Sequence, residues 1–587
     1  MSLIRQPRPW AAFLWRIACA PLFGVTMTVP LSGFGGGADR PAVVAAAGPE
    51  IVSDAHASRG QVTPVSTQRV SFYAASRFAE QASFGPTPAL VAELQAKGFE
   101  RWINEQFALP FAPIDVRPVE AVYNVGPNQS PGSLINAYHE REFARLAVAG
   151  TDPLRLRVMW SLSQFVVAGT TKGEAPGWVT WINLLYRHGL GNYRDLLREA
   201  SVNPYMGHYL DNDQNRPKSA ECQHCAPNEN FARELMQLFT IGVIKLNPNG
   251  TPVRDSRGRF IETYTQRDVE EMARVLTGWQ HDPVPENRPP RNWANWTKPM
   301  VPSTWPPERD AGAKAVMGTS FPAGQSTAKD LDDAVALLMA HPNIAPFVSL
   351  RLIQHLVKSD PSPEYVARVA AAFRNNGSGV AGDMKAVVKA ILLDAEARRG
   401  DNPAGALASD GKVREPVLHS LALWRGMGCR TAPARNWNVD EPAFTGSQSP
   451  FRPESVFSFY APTDRAPGSN LLAPEQKLLT ANDTRDRLAL TTWPVKYAGN
   501  GTRSYELFSA AGCPLEQWRT AFAQSPGAFN DLLSSRFFRG AMPPTLRSNI
   551  EQIMKEVWPP WDRNDPTEGA LRMMGFALAT PYYGVIK

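Results

Sequence analysis

The run Pro227-Asn228-Glu229-Asn230-Phe231-Ala232-Arg233-Glu234-Leu235-Met236-Gln237-Leu238-Phe239-Thr240-Ile241-Gly242 decides how the chain is read. At about 100° per residue, Phe231, Leu235 and Leu238 share one face and Glu229, Arg233 and Gln237 the opposite one. The run therefore predicts an amphipathic helix. Glu229 and Arg233 form an i,i+4 pair in the favourable order, which supports a solvated face by about 0.3 kcal/mol. Glu234 falls at the edge of the apolar stripe, where a carboxylate must find a donor or bear a desolvation cost. A second helix is predicted from Thr265 onward. Thr265 and Asp268 have capping-box spacing, and Val269, Met272, Ala273 and Leu276 form its buried face.

Working outward, the helical pattern continues in both directions. Thr87 with Pro88, Asp152 with Pro153, Ser362 with Pro363, and Asp383 each open an apolar-periodic stretch. Strand signals are few. Asn249-Gly250 and Arg257-Gly258 mark turns between Ile244 and Tyr264, which predicts a small β-hairpin inserted between two helices. Residues 281–310 are rich in Pro and Trp and are expected to be irregular. The chain of 587 residues is 43% hydrophobic and 20% charged, enough for a large core and against disorder as a whole. Its 61 basic and 55 acidic residues leave +6, too small a bias to demand a nucleic-acid partner. The expected fold class is mainly α, a large multi-helix domain over residues 71–587 with a small β-hairpin insertion.

The two signature segments resemble a widespread bacterial family known as domain of unknown function 1800. The hallmark is similar to Asn228-Glu229-Asn230, Ala232-Arg233-Glu234 and Leu238-Phe239-Thr240, followed by Tyr264-Thr265-Gln266, Asp268-Val269 and Ala273-Arg274 up to Thr277-Gly278-Trp279. Arg77-Phe78, Ala82-Ser83-Phe84-Gly85-Pro86, His341-Pro342, Leu352-Ile353 and Phe451-Arg452-Pro453-Glu454-Ser455-Val456-Phe457 extend the resemblance over about residues 72–500. It implies an exported helical protein, often with a sulfatase- or phosphatase-like neighbour protein, and supplies no reaction or catalytic residue.

The N-terminus agrees with export. Arg5, Arg8 and Arg16 precede a charge-free run from Ile17 to Phe34, and Ala45-Ala46-Ala47 offers a cleavage site, so residues 1–47 read as a signal peptide or N-terminal anchor. Residues 48–70 read as a flexible tether, and the expected location is periplasmic or extracellular. Cys222, Cys225, Cys429 and Cys513 then remain, with three pairings open. Cys222-Gln223-His224-Cys225 reads as a redox pair, as half of a zinc site with His208 and His224, or as a local disulfide, the favoured reading.

Candidate chemistry is carboxylate-centred. Asp211, Asp213 and Asn215 offer oxygens at alternate positions, as a calcium loop would, although Arg216 stands where that loop needs Gly. No cofactor is required on this reading, and calcium is the ion the run admits. No H-E-x-x-H, G-x-S-x-G or P-loop occurs. Glu229, Glu234, Asp211 and Asp268 are expected to converge, with Glu234 as buried acid, Glu229 as its ionised partner and Arg233 as the orienting charge. Trp279, Trp293, Trp296 and Trp305 would supply flat faces for an envelope or extracellular polysaccharide. The alternatives are a non-catalytic envelope or assembly partner, whose signature residues serve packing, and a thiol redox protein.

Overall fold

A computed structural model describes residues 69–587 apart from 124–136, 171, 214, 284–293, 437–438, 443, 445–447, 490, 492–503 and 558–564. The expected leader, nearly all of the tether, and Trp293 lie outside the described residues. One compact unit runs from Arg69 to Lys587.

The unit is mainly helical. In order come α1 (Phe72–Ala82), α2 (Pro88–Lys97), α3 (Phe99–Ala108), α4 (Arg117–Tyr123), α5 (Tyr138–Ala149), α6 (Pro153–Ser163), α7 (Ala175–His188), α8 (Tyr193–Ser201) and α9 (Pro204–Tyr209). The signature helices follow as α10 (Glu229–Gln237) and α11 (Gln266–Val275). Beyond the strands β1 (Trp279–Gln280), β2 (Val301–Pro302), β3 (Lys314–Val316) and β4 (Thr319–Phe321) lie α12 (Thr327–Ala340), α13 (Ile344–Leu356), α14 (Pro363–Arg374) and α15 (Met384–Leu393). Further helices continue to Gly584.

Local chemistry sets most of these boundaries. Thr87 accepts from the Leu90 amide with Pro88 in the first turn, and Asp383 accepts from Lys385 and Ala386. Asp152 precedes α6 but makes no side-chain cap, because its carboxylate is taken by Arg155 at 2.5 Å. The expected hairpin is a three-segment meander held by isolated bridges, Ile244 with Glu262, Leu246 with Pro252 and Arg254 with Phe260. Gly250 and Gly258 turn it at φ 79° and 78°, a region closed to most side chains.

Long-range pairings add what local pattern does not carry. β1 and β2 pair antiparallel across the irregular insertion, Trp279 opposite Pro302. Lys412–Val413 pairs with Val585–Ile586 and fastens the C-terminus to the body. The core is built on fully buried Trp102, Trp160, Trp181, Trp424 and Trp518, and α10 packs on α11. His355 and His419 are buried in it. The cysteines pair as Cys222–Cys225 and Cys429–Cys513, the second closing an 84-residue separation.

Candidate functional site

Helix α10 starts where Asn228 accepts from the Asn230 amide, and its stripe buries Phe231, Ala232, Leu235 and Met236. On its outer face Glu229 meets Arg233 at 2.6 Å. Gln266 of α11 donates to Glu229 at 2.9 Å and accepts from Arg233 at 3.0 Å. The three polar groups satisfy one another and tie α10 to α11 at a half-exposed seam. Glu229 is therefore directed to this seam.

Glu234 has a different environment. It is 9% exposed, and its Oε2 is buried with no hydrogen-bond partner among the described residues. Burial pushes its pKa up to about 7, against a smaller opposing pull from Arg233. Tyr209 and Tyr264 are close enough for its charge to raise their own pKa values, after the larger effect of burial. The Tyr264 hydroxyl is likewise buried without a partner among the described residues. At neutral pH such a carboxyl holds its proton about half of the time, as a general acid needs.

Asp211 meets the start of α10 through Asn230. Its backbone is left-handed at φ 58°, and its carboxylate accepts from Asn230 at 2.8 Å and Lys172 at 3.0 Å. Asn230 and Glu234 are one helical turn apart, about 6 Å along the axis. The Asp211 side chain is 45% exposed and meets α10 through Asn230, one turn before Glu234 in the helix.

The Asp211–Asn215 segment sends its three side chains to three separate partners. Asp213 Oδ2 stands 3.0 Å from His208 Nδ1 and 3.0 Å from His281 Nε2. Burial alone would push the Asp213 carboxyl up, but hydrogen bonds and charge from the two histidines hold it below the usual carboxylate range. Asn215 instead bonds Asn212, the Ala273 carbonyl and the Asn228 amide. The oxygen triplet expected of a calcium loop is thus dispersed, and Asp213 belongs to a two-histidine group that can hold a metal ion.

Asp268 completes a capping box with Thr265 and accepts from the Met317 amide at 2.6 Å. It lines a cavity of about 540 Å³ with Tyr264, Lys245, Glu262 and His341, which does not include Glu229, Glu234 or Asp211. Trp279 and Trp296 are buried, and Trp305 is exposed. The cavity that Asp268 lines thus excludes the other three carboxylates; Asp211 meets the start of α10 through Asn230, Glu229 is held by Arg233 and Gln266, and Glu234 is buried. His281, Tyr209, Tyr264 and Lys172 escaped sequence reasoning. Tyr264 lies within a quoted motif and Tyr209 stands two residues before Asp211, but a lone His281 carries no local signal.

A family model described as protein of unknown function (DUF1800) matches residues 77–585. No curated protein and no solved structure is significantly similar to the chain. With nearly all of the described unit matched, the chain belongs to the DUF1800 family of proteins of unknown function.

Proposed function

We propose that this is an exported protein that cleaves a glycosidic bond in an envelope or extracellular polysaccharide, with Glu234 as proton donor and Asp211 as ionised partner. The observation that carries the reading is the Glu234 carboxyl, buried with one oxygen unpartnered among the described residues, where burial pushes its pKa up to about 7. In this reading Asp211, 45% exposed and held by Lys172 and Asn230 at the start of α10, takes the partner role, and Glu229, held by Arg233 and Gln266, ties α10 to α11. Two carboxyl groups in unlike environments are what glycoside hydrolysis uses. Among the described residues of that tryptophan set, Trp305 is exposed and would offer its face to a sugar ring. Calcium has no place in this chemistry, and no nucleic acid is involved. The leader over residues 1–47 would deliver the protein to the periplasm or beyond, where a sulfatase- or phosphatase-like protein would be its companion.

The test is release of reducing ends from purified envelope polysaccharides by the wild type, Glu234→Gln and Asp211→Asn. Acid–base catalysis predicts a loss of 100-fold or more in turnover for Glu234→Gln with the fold retained. Equal turnover by Glu234→Gln overturns the assignment. A second reading, a non-catalytic envelope or assembly partner, is favoured by the Glu229–Arg233–Gln266 seam and the Thr265–Asp268 capping box, which give signature residues a packing role. It predicts no turnover by any form and a lowered melting temperature for Arg233→Ala. The thiol redox reading has only the closed Cys222–Cys225 bridge for support, and neither cysteine sits at a helix N-terminus.

A further inference from the structure

His208, Asp213 and His281 take no part in the acid–base pair. One donor atom from each lies within 4.8 Å of those of the other two. The contacts of His208 Nδ1 and His281 Nε2 converge on a single oxygen, Asp213 Oδ2, each at 3.0 Å. Two ligand atoms about 2.1 Å from a common ion and about 3.0 Å apart subtend roughly 90° at it. Opening that distance to about 3.4 Å reaches the tetrahedral angle. Two imidazole nitrogens with one carboxylate oxygen form a donor set for zinc, iron, cobalt or nickel, whereas calcium and magnesium prefer all-oxygen sets.

The three side chains are held in place from different parts of the chain. The Asn203 side chain accepts from Tyr205 and Met206 and caps α9, which carries His208. The Gly207 carbonyl accepts from the amides of both Asn212 and Asp213, folding the segment back so that Asp213 meets His208. A Cβ at Gly207 would stand 2.5 Å from Met300 Sδ, so the far arm of the insertion packs directly on this turn. His281 leaves β1, which β2 fixes. The Trp296 ring lies edge-on to both imidazoles, at 5.5 Å from His208 and 5.3 Å from His281. Rings so confined lose little freedom on binding an ion.

We propose that His208, Asp213 and His281 bind one divalent transition-metal ion of the zinc class, with the open coordination positions facing solvent past His208. Asp213 and His281 are 10% and 11% exposed while His208 is 28% exposed, so the approach runs along His208. The rival is a proton-bridged His–Asp–His cluster that takes no metal. The inference is independent of the glycan reading, because Glu234 is not a ligand.

The experiment uses the untagged mature protein, stripped with chelator and titrated with zinc alone by calorimetry and with cobalt by visible absorption. One equivalent per chain is expected, unaffected by excess calcium. His281→Gln and Asp213→Asn, which keep the bulk of each side chain, are expected to bind at least 10-fold more weakly. Replacement of exposed His224 by Ala and Glu234→Gln leave binding unchanged. A zinc-dependent rise in melting temperature, present in the wild type and absent in His281→Gln, covers the case in which a variant is less stable. The proposal is overturned if the wild type takes up no stoichiometric zinc, if both ligand variants bind as the wild type does, or if His224→Ala abolishes binding.

Discussion

Replacing Glu234 by Gln exchanges a buried carboxyl for a neutral group of the same shape, and the consequence depends on pH. Burial raises the folded-state pKa from 4.5 to about 7, so the folded chain binds a proton here more tightly than the unfolded chain. The stability associated with that proton is fully present below pH 4.5 and is lost as pH rises through about 7. At about 1.36 kcal/mol per pH unit the interval corresponds to at most about 3.4 kcal/mol, and partial solvent screening brings the working figure to about 2 kcal/mol. Urea denaturation of wild type and Glu234→Gln at several pH values between 4 and 9 reads the difference directly. The variant is expected to gain about 2 kcal/mol relative to the wild type between about pH 4.5 and 7, then hold level. A difference that stays flat across this range would refute the reasoning, since it would mean that Glu234 titrates alike in both states.

Four further outcomes follow from the structure. Arg233→Ala removes a half-exposed ion pair and should cost about 0.5 kcal/mol in urea unfolding, whereas a loss above about 2 kcal/mol would favour the scaffold reading. Tyr264→Phe deletes a buried hydroxyl that has no partner among the described residues, and the melting temperature should hold or rise. The double replacement Cys429→Ser, Cys513→Ser opens a bridge spanning 84 residues and should cost up to about 4.6 kcal/mol by loop entropy. The corresponding pair at Cys222 and Cys225, three residues apart, should cost less than half of that in the same unfolding assay.

Local rules carried much of this in the sequence. The capping box at Thr265 and Asp268, the Asn249-Gly250 and Arg257-Gly258 turns, and the stripe of α10 all depend on neighbours within a few residues, and spacing alone reveals them. The edge position of Glu234 on that stripe likewise marked it as a carboxylate in apolar surroundings. What spacing does not contain is tertiary. His281 meets His208 only because β2 closes the insertion and Trp296 packs between distant segments. Glu229 is the expected partner of Glu234 by spacing, and its hydrogen bond from Gln266, on the next helix, is not legible in that spacing. The left-handed turn at Asp211 aims it at Asn230, and Asp213, two residues on, faces the histidines.

The most direct test of the central claim is the titration of Glu234 itself, read as the carboxylic-acid carbonyl band in the infrared difference between wild type and Glu234→Gln as pH is varied. The account predicts a band that disappears with a midpoint near pH 7, the value to which burial pushes this group. A midpoint near 4.5, the ordinary value for a glutamate in water, would contradict it and remove the proposed proton donor.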